Sequence, residues 1–209
     1  MNVAIVIPTR NRPEFLCRQL QYYSTVESPH TVYIGDASDS EHQELLLGEI
    51  KQFSSKINIF YQHWPDLPIS HTIRQLLPLV KEQYSVICGD DDFFVPNSLT
   101  RCGEFLDANP GYRTAQGRGF ILATDFDKPY GEIKSLGTYT TFNSSEERTG
   151  VERVEKYSNN YWVVEFSVHR TSELLSDSLF NVECNRFMEL IRSFVTISRG
   201  RAKFVDCLY

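Results

Sequence analysis

Short apolar runs alternate with segments of helical periodicity along the first half of the chain. Residues 3–7 are apolar without interruption and end at Pro8, which is typical of a strand buried on both faces. Three more runs of this kind lie at residues 32–34, 57–61 and 84–88. Strands that are separated by helical segments favour an α/β fold with a mainly parallel sheet.

The segments between these strands have the apolar spacing of helices. Pro13 suits the first position of one helix, and Asp39 or Ser40 can cap the helix after the second strand. Pro78 should kink the helical segment before the fourth strand, because proline cannot donate a backbone hydrogen bond. This segment covers residues 70–81, and one more helical pattern follows at residues 96–109.

The second half of the chain predicts a less regular arrangement. Residues 114–124 have strand character, broken by Gly117 and Gly119, and residues 125–144 predict a long polar loop. A loop of this length suits a lid or an excursion toward an acceptor. The remaining predicted elements are a helix capped by Ser144 or Ser145 with Glu147 and ending at residue 157, a strand at 162–169, helices at 171–180 and 183–198, and a strand at 202–209.

Composition and charge narrow the class of protein. The chain has 209 residues, 41% hydrophobic and 23% charged, which predicts one folded domain with two halves, residues 1–110 and 111–209. The net charge of −6 argues against nucleic acid as a partner. Five scattered cysteines without a Cys-x-x-Cys pair favour a reducing, cytoplasmic location. Because no apolar stretch approaches about 18 residues, we expect no transmembrane segment.

Three consecutive aspartates follow the fourth predicted strand. Asp90, Asp91 and Asp92 would repel one another in a crevice of low dielectric constant unless a cation neutralised them. Carboxylate oxygens suit Mg²⁺ or Mn²⁺, which leave coordination positions open for a diphosphate. The alternative is a solvated acidic turn, since aspartate is also favoured near the positive end of a helix dipole.

Polar loops follow the first two strands as well. Thr9, Arg10 and Arg12 lie in a loop bounded by prolines, and their guanidinium groups could meet phosphate or a base. Asp36 follows the second strand and could accept hydrogen bonds from a base or a ribose. Alternatively, the arginines are ordinary surface residues and the aspartate only forms a turn. A parallel sheet would bring these loops and the three aspartates together, because ligands bind beyond the carboxyl ends of its strands.

The three loops together resemble those that bind nucleotide sugars in GT-A glycosyltransferases of family 2. They read Ile-Val-Ile-Pro-Thr-Arg-Asn-Arg at residues 5–12, Gly-Asp-Ala-Ser-Asp at 35–39 and Gly-Asp-Asp-Asp-Phe-Phe-Val-Pro at 89–96. The resemblance covers about the first 110 residues. It implies a single GT-A domain, that is, a Rossmann-like α/β fold with a mainly parallel sheet flanked by helices. It also implies a nucleotide-diphospho-sugar donor, most commonly a UDP-sugar, and a saccharide or other hydroxyl acceptor.

The resemblance assigns expected roles to individual residues. The first loop would hold the base, Asp36 would bind it, and the acidic motif would bind the ribose and a Mn²⁺ or Mg²⁺ diphosphate. Arg74, sixteen residues before Asp90, would face the donor's phosphates; otherwise it is a solvent-facing helix residue. The expected nucleotide-sugar-binding residues are Pro8, Thr9, Arg10, Arg12, Asp36, Arg74, Asp90 and Asp91, and the expected metal ligands are Asp91 and Asp92.

Two departures from the family pattern matter. If Pro96 is aligned with the proline after the motif, Gly89 stands where the first aspartate is usual. The Glu-Asp pair that often supplies the catalytic base is also missing from the late helix. Glu183 is the first candidate for the base and Glu189 the second. Each glutamate also has a purely structural explanation. Either one could be favoured near the start of a helix by the helix dipole, and Glu189 could form an ion pair with Arg192.

Other residues and other functions stay open. Glu165 and His169 could line an acceptor site or face water, and Tyr139, Tyr161 and Trp162 could stack on a sugar or belong to the core. The missing pair motivates an alternative, a non-catalytic module that binds nucleotide sugars within a larger complex. A phosphatase would have its Asp-x-Asp motif on the first strand. A nucleotidyltransferase would have a glycine-rich loop with a lysine there, which this chain lacks.

Overall fold

The computed structural model describes residues 1–125, 129–139, 143–179 and 187–209. Within these ranges the strands are β1 (Val3–Thr9), β2 (Val32–Asp36), β3 (Ile59–His63), β4 (Tyr84–Ile87), β5 (Tyr112–Arg118), β6 (Phe120–Thr124), β7 (Ile133–Thr138), β8 (Val168–Arg170) and β9 (Arg201–Leu208). The helices are α1 (Pro13–Thr25), α2 (Ser40–Phe53), α3 (Ile69–Leu76), α4 (Pro96–Ala108), α5 (Gly150–Asn159), α6 (Thr171–Ser178) and α7 (Met188–Arg199). A 3₁₀ helix at Leu77–Leu79 continues α3 and contains Pro78, so the predicted break at this proline is confirmed.

Seven strands form one sheet in the order β3-β2-β1-β4-β8-β5-β9. β1 pairs in parallel with β2 and β4, β2 with β3, and β5 with β9, whereas β8 is antiparallel to β4 and β5. The predicted mainly parallel α/β sheet is therefore confirmed. The register pairs Thr9 with Asp36 and Val6 with Ile87, so the ends of β1, β2 and β4 lie at the same edge.

The sheet is covered by helices on both faces, because successive residues of β1 are apolar and point alternately to the two faces. Val3, Ile5 and Ile7 join a core with Leu16 and Leu20 of α1 and residues of α2 and α4. Ala4 and Val6 join a second core on the other face, with side chains of α3 and α6. All seven residues of β1 are buried, as the uninterrupted apolar run predicts.

One predicted loop contains a strand. Residues 133–138, inside the segment 125–144, form β7, which pairs antiparallel with β6. All residues of both strands are exposed, so burial imposes no alternation of apolar and polar residues. The loop prediction was therefore wrong for β7, because its hydrogen bonds leave no trace in the hydropathy pattern.

Two further predicted boundaries were wrong. The strand expected at residues 162–169 is reduced to β8, because Trp162 and Val164 are buried in a third cluster with Tyr157 and Ile197 rather than in a ladder. α5 is capped by Thr149 and Glu152, which form a reciprocal capping box, and not by Ser144 or Ser145. Across the described ranges, no helix has both the length and the apolar surface needed to cross a lipid bilayer.

Candidate functional site

The first loop contacts the acidic turn, defined as residues 89–92, at the edge where β1 and β4 end. The Thr9 hydroxyl donates a hydrogen bond of 2.8 Å to Oδ2 of Asp90. Arg12 donates from Nη1 to Oδ1 of Asp90 at 2.5 Å and from Nη2 to Oδ2 of Asp91 at 2.9 Å. The structure thus brings together four of the residues named from the sequence, although about 80 positions separate the two segments.

The electrostatics of the turn follow from this crowding. Burial raises the pKa of Asp90, against the opposing effects of the Thr9 hydrogen bond and the Arg12 charge. Burial of the carboxylate and the charges of Asp91 and Asp90 raise the pKa of Asp92, although the residue as a whole is exposed. Burial alone would lower the pKa of Arg12, but its hydrogen bond to Asp91 and the three carboxylates raise it. The guanidinium therefore stays charged, and the turn still carries excess negative charge.

The first departure from the family pattern is at Gly89. A Cβ atom at this position would lie 2.8 Å from Oδ2 of Asp92 and 3.1 Å from Oδ1 of Asp91, closer than such contacts normally are. The carboxylates of Asp91 and Asp92 therefore lie over the same glycine. A side chain at position 89 would displace both carboxylates from these positions.

This pair of carboxylates suits a shared metal site. Mg²⁺ is commonly bound by one or two carboxylates together with substrate phosphates and water. Asp91 and Asp92 supply oxygen atoms of this kind on one side of Gly89. Among the described residues, no group of three or more His, Cys, Asp or Glu side chains is arranged to hold a metal ion. A cation bound here would complete its coordination with water or with the oxygens of a diphosphate.

Helix α1 holds the backbone of the acidic turn. Gln19 donates from Nε2 to the Gly89 carbonyl at 2.7 Å and to the Asp92 carbonyl. Arg18 donates from Nη2 to the Asp91 carbonyl at 3.1 Å, and its guanidinium lies 4.9 Å from the ring centre of Phe93. Neither Arg18 nor Gln19 was among the residues named from the sequence. A fully buried glutamine between Leu16 and Leu20 on an apolar helix face was the available signal.

Asp36, one of the predicted donor-site residues, is enclosed by the protein. It is fully buried, and it accepts hydrogen bonds from the Tyr61 hydroxyl at 2.7 Å and from the Ser38 backbone at 2.8 Å. Burial and then the hydrogen bond to Asp36 raise the pKa of Tyr61. Both carboxylate oxygens of Asp36 are therefore bound inside the protein. The role of Asp36 in binding the base stays a prediction. It requires that the hydrogen bond between Tyr61 and Asp36 breaks, so that the buried carboxylate becomes accessible.

Two arginines lie apart from the contacts of the acidic turn described above. Arg10 forms an exposed ion pair of 2.6 Å with Asp66, which lies in the loop after β3 and has a positive φ of 61°. Arg74 is half-buried in the last turn of α3, on the opposite face of the sheet from α1. Pro8 is buried in β1 beside Gly35. The expected roles of Arg10, Arg74 and Pro8 in donor binding stay predictions.

Glu189 lies in the first turn of α7 and accepts a hydrogen bond of 2.8 Å from the Tyr161 hydroxyl. It is exposed, whereas Glu183, the first candidate for the base, lies outside the described residues. Burial and then the charges of Glu189 and Asp92 raise the pKa of Tyr139. The charge of Glu189 and that of the acidic turn therefore both act on Tyr139.

The structure decides between the alternatives that the sequence leaves open for several residues on this side of the molecule. Arg192 pairs with Glu165 and not with Glu189, and burial raises the pKa of Glu165 against the effect of Arg192. His169 is 2% exposed and bonds the Val164 carbonyl at 3.0 Å, so it lines no open acceptor site. Trp162 belongs to the third core cluster, whereas Tyr161 is 45% exposed and remains available for stacking.

The comparisons with known proteins show the fold. No family model and no curated protein matches this sequence. The crystal structure of S. aureus TarS 1-349 superimposes with a TM-score of 0.67 at 13% identity, over 99% of this chain and 58% of that one. The complex of TarS 1-349 with UDP-GlcNAc gives a TM-score of 0.61 at 14% identity, over 99% and 59% of the two chains.

A second kind of neighbour has the same architecture. CMP:2-keto-3-deoxy-manno-octonic acid synthetase, complexed with CTP, gives a TM-score of 0.54 at 10% identity, over 100% of this chain and 91% of that one. The likeness to TarS confirms the predicted GT-A type of α/β fold, with a mainly parallel sheet flanked by helices. The chain spans somewhat less than three fifths of TarS 1-349.

Proposed function

We propose that this protein is a glycosyltransferase that moves a sugar from a nucleoside diphosphate donor to a hydroxyl acceptor. The contact between the first loop and the acidic turn, made by Thr9 and Arg12 with Asp90 and Asp91, is the observation that carries this proposal. It lies beyond the carboxyl ends of β1 and β4, where open α/β sheets bind nucleotides. TarS, which shares the fold, has been crystallised with UDP and with UDP-GlcNAc, which supports a UDP-sugar as the first donor to test.

The donor site is divided between the loops. The first loop, with Arg10 and Arg12, would bind the base and the diphosphate, because guanidinium groups match phosphate oxygens. Asp90 would hold the ribose, after it exchanges its contact with Thr9 or Arg12. Mg²⁺ or Mn²⁺ would be held by Asp91 and Asp92 and would supply positive charge against the departing diphosphate.

The acceptor side would supply the base for a single displacement. The acceptor oxygen attacks the anomeric carbon, and the bond from that carbon to the diphosphate breaks, so that its electron pair leaves with the diphosphate. A carboxylate accepts the hydroxyl proton. Glu189 is the candidate among the described residues, because it is exposed in the first turn of α7 and, in addition to burial, its charge, like that of Asp92, raises the pKa of Tyr139. An attack opposite the leaving group inverts the anomeric configuration.

A nucleotidyltransferase is the second candidate function. The synthetase crystallised with CTP has the same fold, and the superposition covers 100% of this chain and 91% of that one. In such an enzyme an oxygen of the sugar attacks the α-phosphorus of a nucleoside triphosphate, so that the nucleoside monophosphate group is transferred and pyrophosphate leaves. The first loop argues against it, because Thr9, Arg10 and Arg12 stand where a glycine-rich loop with a lysine would be needed.

Thermal unfolding tests these functions first. A ligand that binds only the folded protein raises its melting temperature, so UDP, GDP, dTDP, CDP and CTP are compared with and without Mn²⁺. We expect stabilisation by one nucleoside diphosphate and more by the same ligand with Mn²⁺. Release of that diphosphate from its sugar donor, with an acceptor panel, then indicates transfer. Pyrophosphate release from CTP would favour the nucleotidyltransferase, and donor binding without any turnover would favour the non-catalytic module.

We propose a cytoplasmic location for this enzyme, and the cysteines support it. Cys17, Cys88, Cys102 and Cys207, which lie in the described ranges, are free thiols. Free thiols persist in reducing compartments. This supports a cytoplasmic enzyme, where nucleotide sugars would be its donors.

A further inference from the structure

The acidic turn has a positively charged neighbour of its own. Arg12 donates to Oδ1 of Asp90 at 2.5 Å and to Oδ2 of Asp91 at 2.9 Å. Its guanidinium carbon lies 4.0 Å from the ring centre of Phe15, a distance at which a cation is attracted to an aromatic face. Arg12 therefore neutralises part of the negative charge of the acidic turn, and its contact with Phe15 helps to hold it there.

Arg12 and the expected metal position lie on different sides of the Asp91 carboxylate. Oδ2 of Asp91 bonds Arg12, whereas Oδ1 approaches Gly89, where Oδ2 of Asp92 also lies. A cation that bound the Asp91 and Asp92 oxygens over Gly89 would share the Asp91 carboxylate with Arg12. Two positive groups on one carboxylate repel each other, so Arg12 opposes the binding of a free cation.

A diphosphate would change this balance. Its oxygens add negative charge beside the turn, and an arginine fork can bond two of them at once. Arg12 is 38% exposed, so its guanidinium has access to such a ligand without any rearrangement of the core. Arg12 and a cation would then both have partners, and their mutual repulsion would be offset.

We propose that Arg12 is the resident counter-ion of the acidic turn, which keeps the affinity for a free divalent cation low and strengthens the binding of the donor's diphosphate. The statement about the donor's diphosphate rests on the proposed function, whereas the statement about the free divalent cation does not. The proposal predicts that removal of the Arg12 charge shifts the two affinities in opposite directions. A merely structural role would weaken both.

The test measures Mn²⁺ binding by electron paramagnetic resonance and UDP binding by calorimetry. For Arg12→Gln without nucleotide, we expect the Mn²⁺ affinity to rise on the order of three- to tenfold, because a nearby positive charge is lost. We expect the affinity for UDP in saturating Mn²⁺ to fall on the order of tenfold, through the lost charge-assisted bonds. Arg12→Lys keeps the charge and should leave the Mn²⁺ affinity within about twofold of wild type.

Arg148→Gln is the matched control. It makes the same change of net charge at an exposed position, three residues after Ser145, which bridges Ala202 near the beginning of β9. β8 is antiparallel to both β4 and β5, and β5 is parallel to β9, so β4 and β9 run in the same direction. The beginning of β9 therefore lies at the opposite edge of the sheet from the acidic turn, which follows the end of β4. We expect both affinities of this variant to equal those of wild type.

The outcomes separate this inference from the proposed function. Equal or weaker Mn²⁺ binding by Arg12→Gln overturns the counter-ion role, even if UDP binds wild type as proposed. Tighter Mn²⁺ binding together with no binding of any nucleoside diphosphate supports the counter-ion role and overturns the proposed function. Circular dichroism checks that each variant is folded, and Arg12→Met provides a second neutral variant, for which the same pair of shifts is expected.

Discussion

Arg192 of α7 forms an ion pair with Glu165, and the two side chains are 6% and 5% exposed. Removal of one partner would leave the other charge buried without compensation. We therefore expect Glu165→Gln to lower the free energy of unfolding by about 3 to 5 kcal/mol, measured by urea denaturation.

An exposed ion pair provides the control for this prediction. Lys203 pairs with Glu146 at 2.9 Å, with 32% and 40% of their side chains exposed. Glu146→Gln should change the free energy of unfolding by less than about 1 kcal/mol. Similar losses in the two variants would show that burial does not determine the contribution of the Glu165 pair.

His169 gives the protein a specific dependence on pH. Burial, opposed by a hydrogen bond to the Val164 carbonyl and the charge of Asp177, lowers its pKa to about 4, with a smaller effect of Arg113 in the same direction as burial. An unfolded histidine binds a proton below about pH 6.5, whereas the folded one does not until about pH 4. Stability is therefore lost as the pH falls through this window, by about 2 kcal/mol between pH 7 and 5.

The variant His169→Gln isolates this contribution. Urea denaturation at pH 7 and pH 5 gives the loss of stability for each protein, and subtraction removes the titration of all other groups. We expect the wild type to lose about 2 kcal/mol more than the variant. Equal losses in both proteins would mean that His169 is not held neutral by the fold.

The fold was predictable wherever burial leaves a local pattern. The apolar run of β1 indicated a strand with two covered faces, and Asp39 was a correct cap, since its side chain accepts the His42 backbone N–H. β7 was not predictable, because both faces of its two-stranded sheet are exposed. The cap of α5 was misassigned because the chain offers two capping sequences, one at Ser144 or Ser145 and one at Thr149.

The sequence predicted which loops meet at the site, but it did not predict every pair of side chains that contact each other. Parallel strands bring their carboxyl ends to one edge, so the meeting of Thr9 and Arg12 with Asp90 followed from the loop positions. Local spacing suggested that Arg192 would pair with Glu189, three residues before it. The tertiary fold instead presents Glu165, which is distant in sequence and more deeply buried. Such a choice between partners depends on packing that no local pattern contains.

Asp91 and Asp92 are expected to carry the metal dependence of nucleotide binding. Asp92→Asn and Asp91→Asn remove a charge from the pair of carboxylates over Gly89. We expect each to abolish the additional stabilisation that Mn²⁺ gives in the presence of UDP, measured as a shift of melting temperature. Asp206→Asn is the control, because its side chain is 90% exposed on β9. Turnover at the wild-type rate by folded Asp91→Asn and Asp92→Asn proteins would contradict the proposed site.

Gly89→Ala tests whether the two carboxylates must lie over a bare α-carbon. Gly89 does not have a positive φ, so alanine is compatible with its backbone, but the added Cβ would lie 2.8 Å from Oδ2 of Asp92. We expect stability to change by no more than about 1 kcal/mol, since a displaced surface carboxylate costs little, whereas the Mn²⁺-dependent part of UDP binding is lost. Gly48→Ala in α2 is the control: its Cβ meets no atom within 4 Å, and alanine should stabilise this helix by about 0.5 to 1 kcal/mol without any effect on UDP. If Gly89→Ala binds UDP and Mn²⁺ as wild type does, the positions of Asp91 and Asp92 over Gly89 do not matter for the metal.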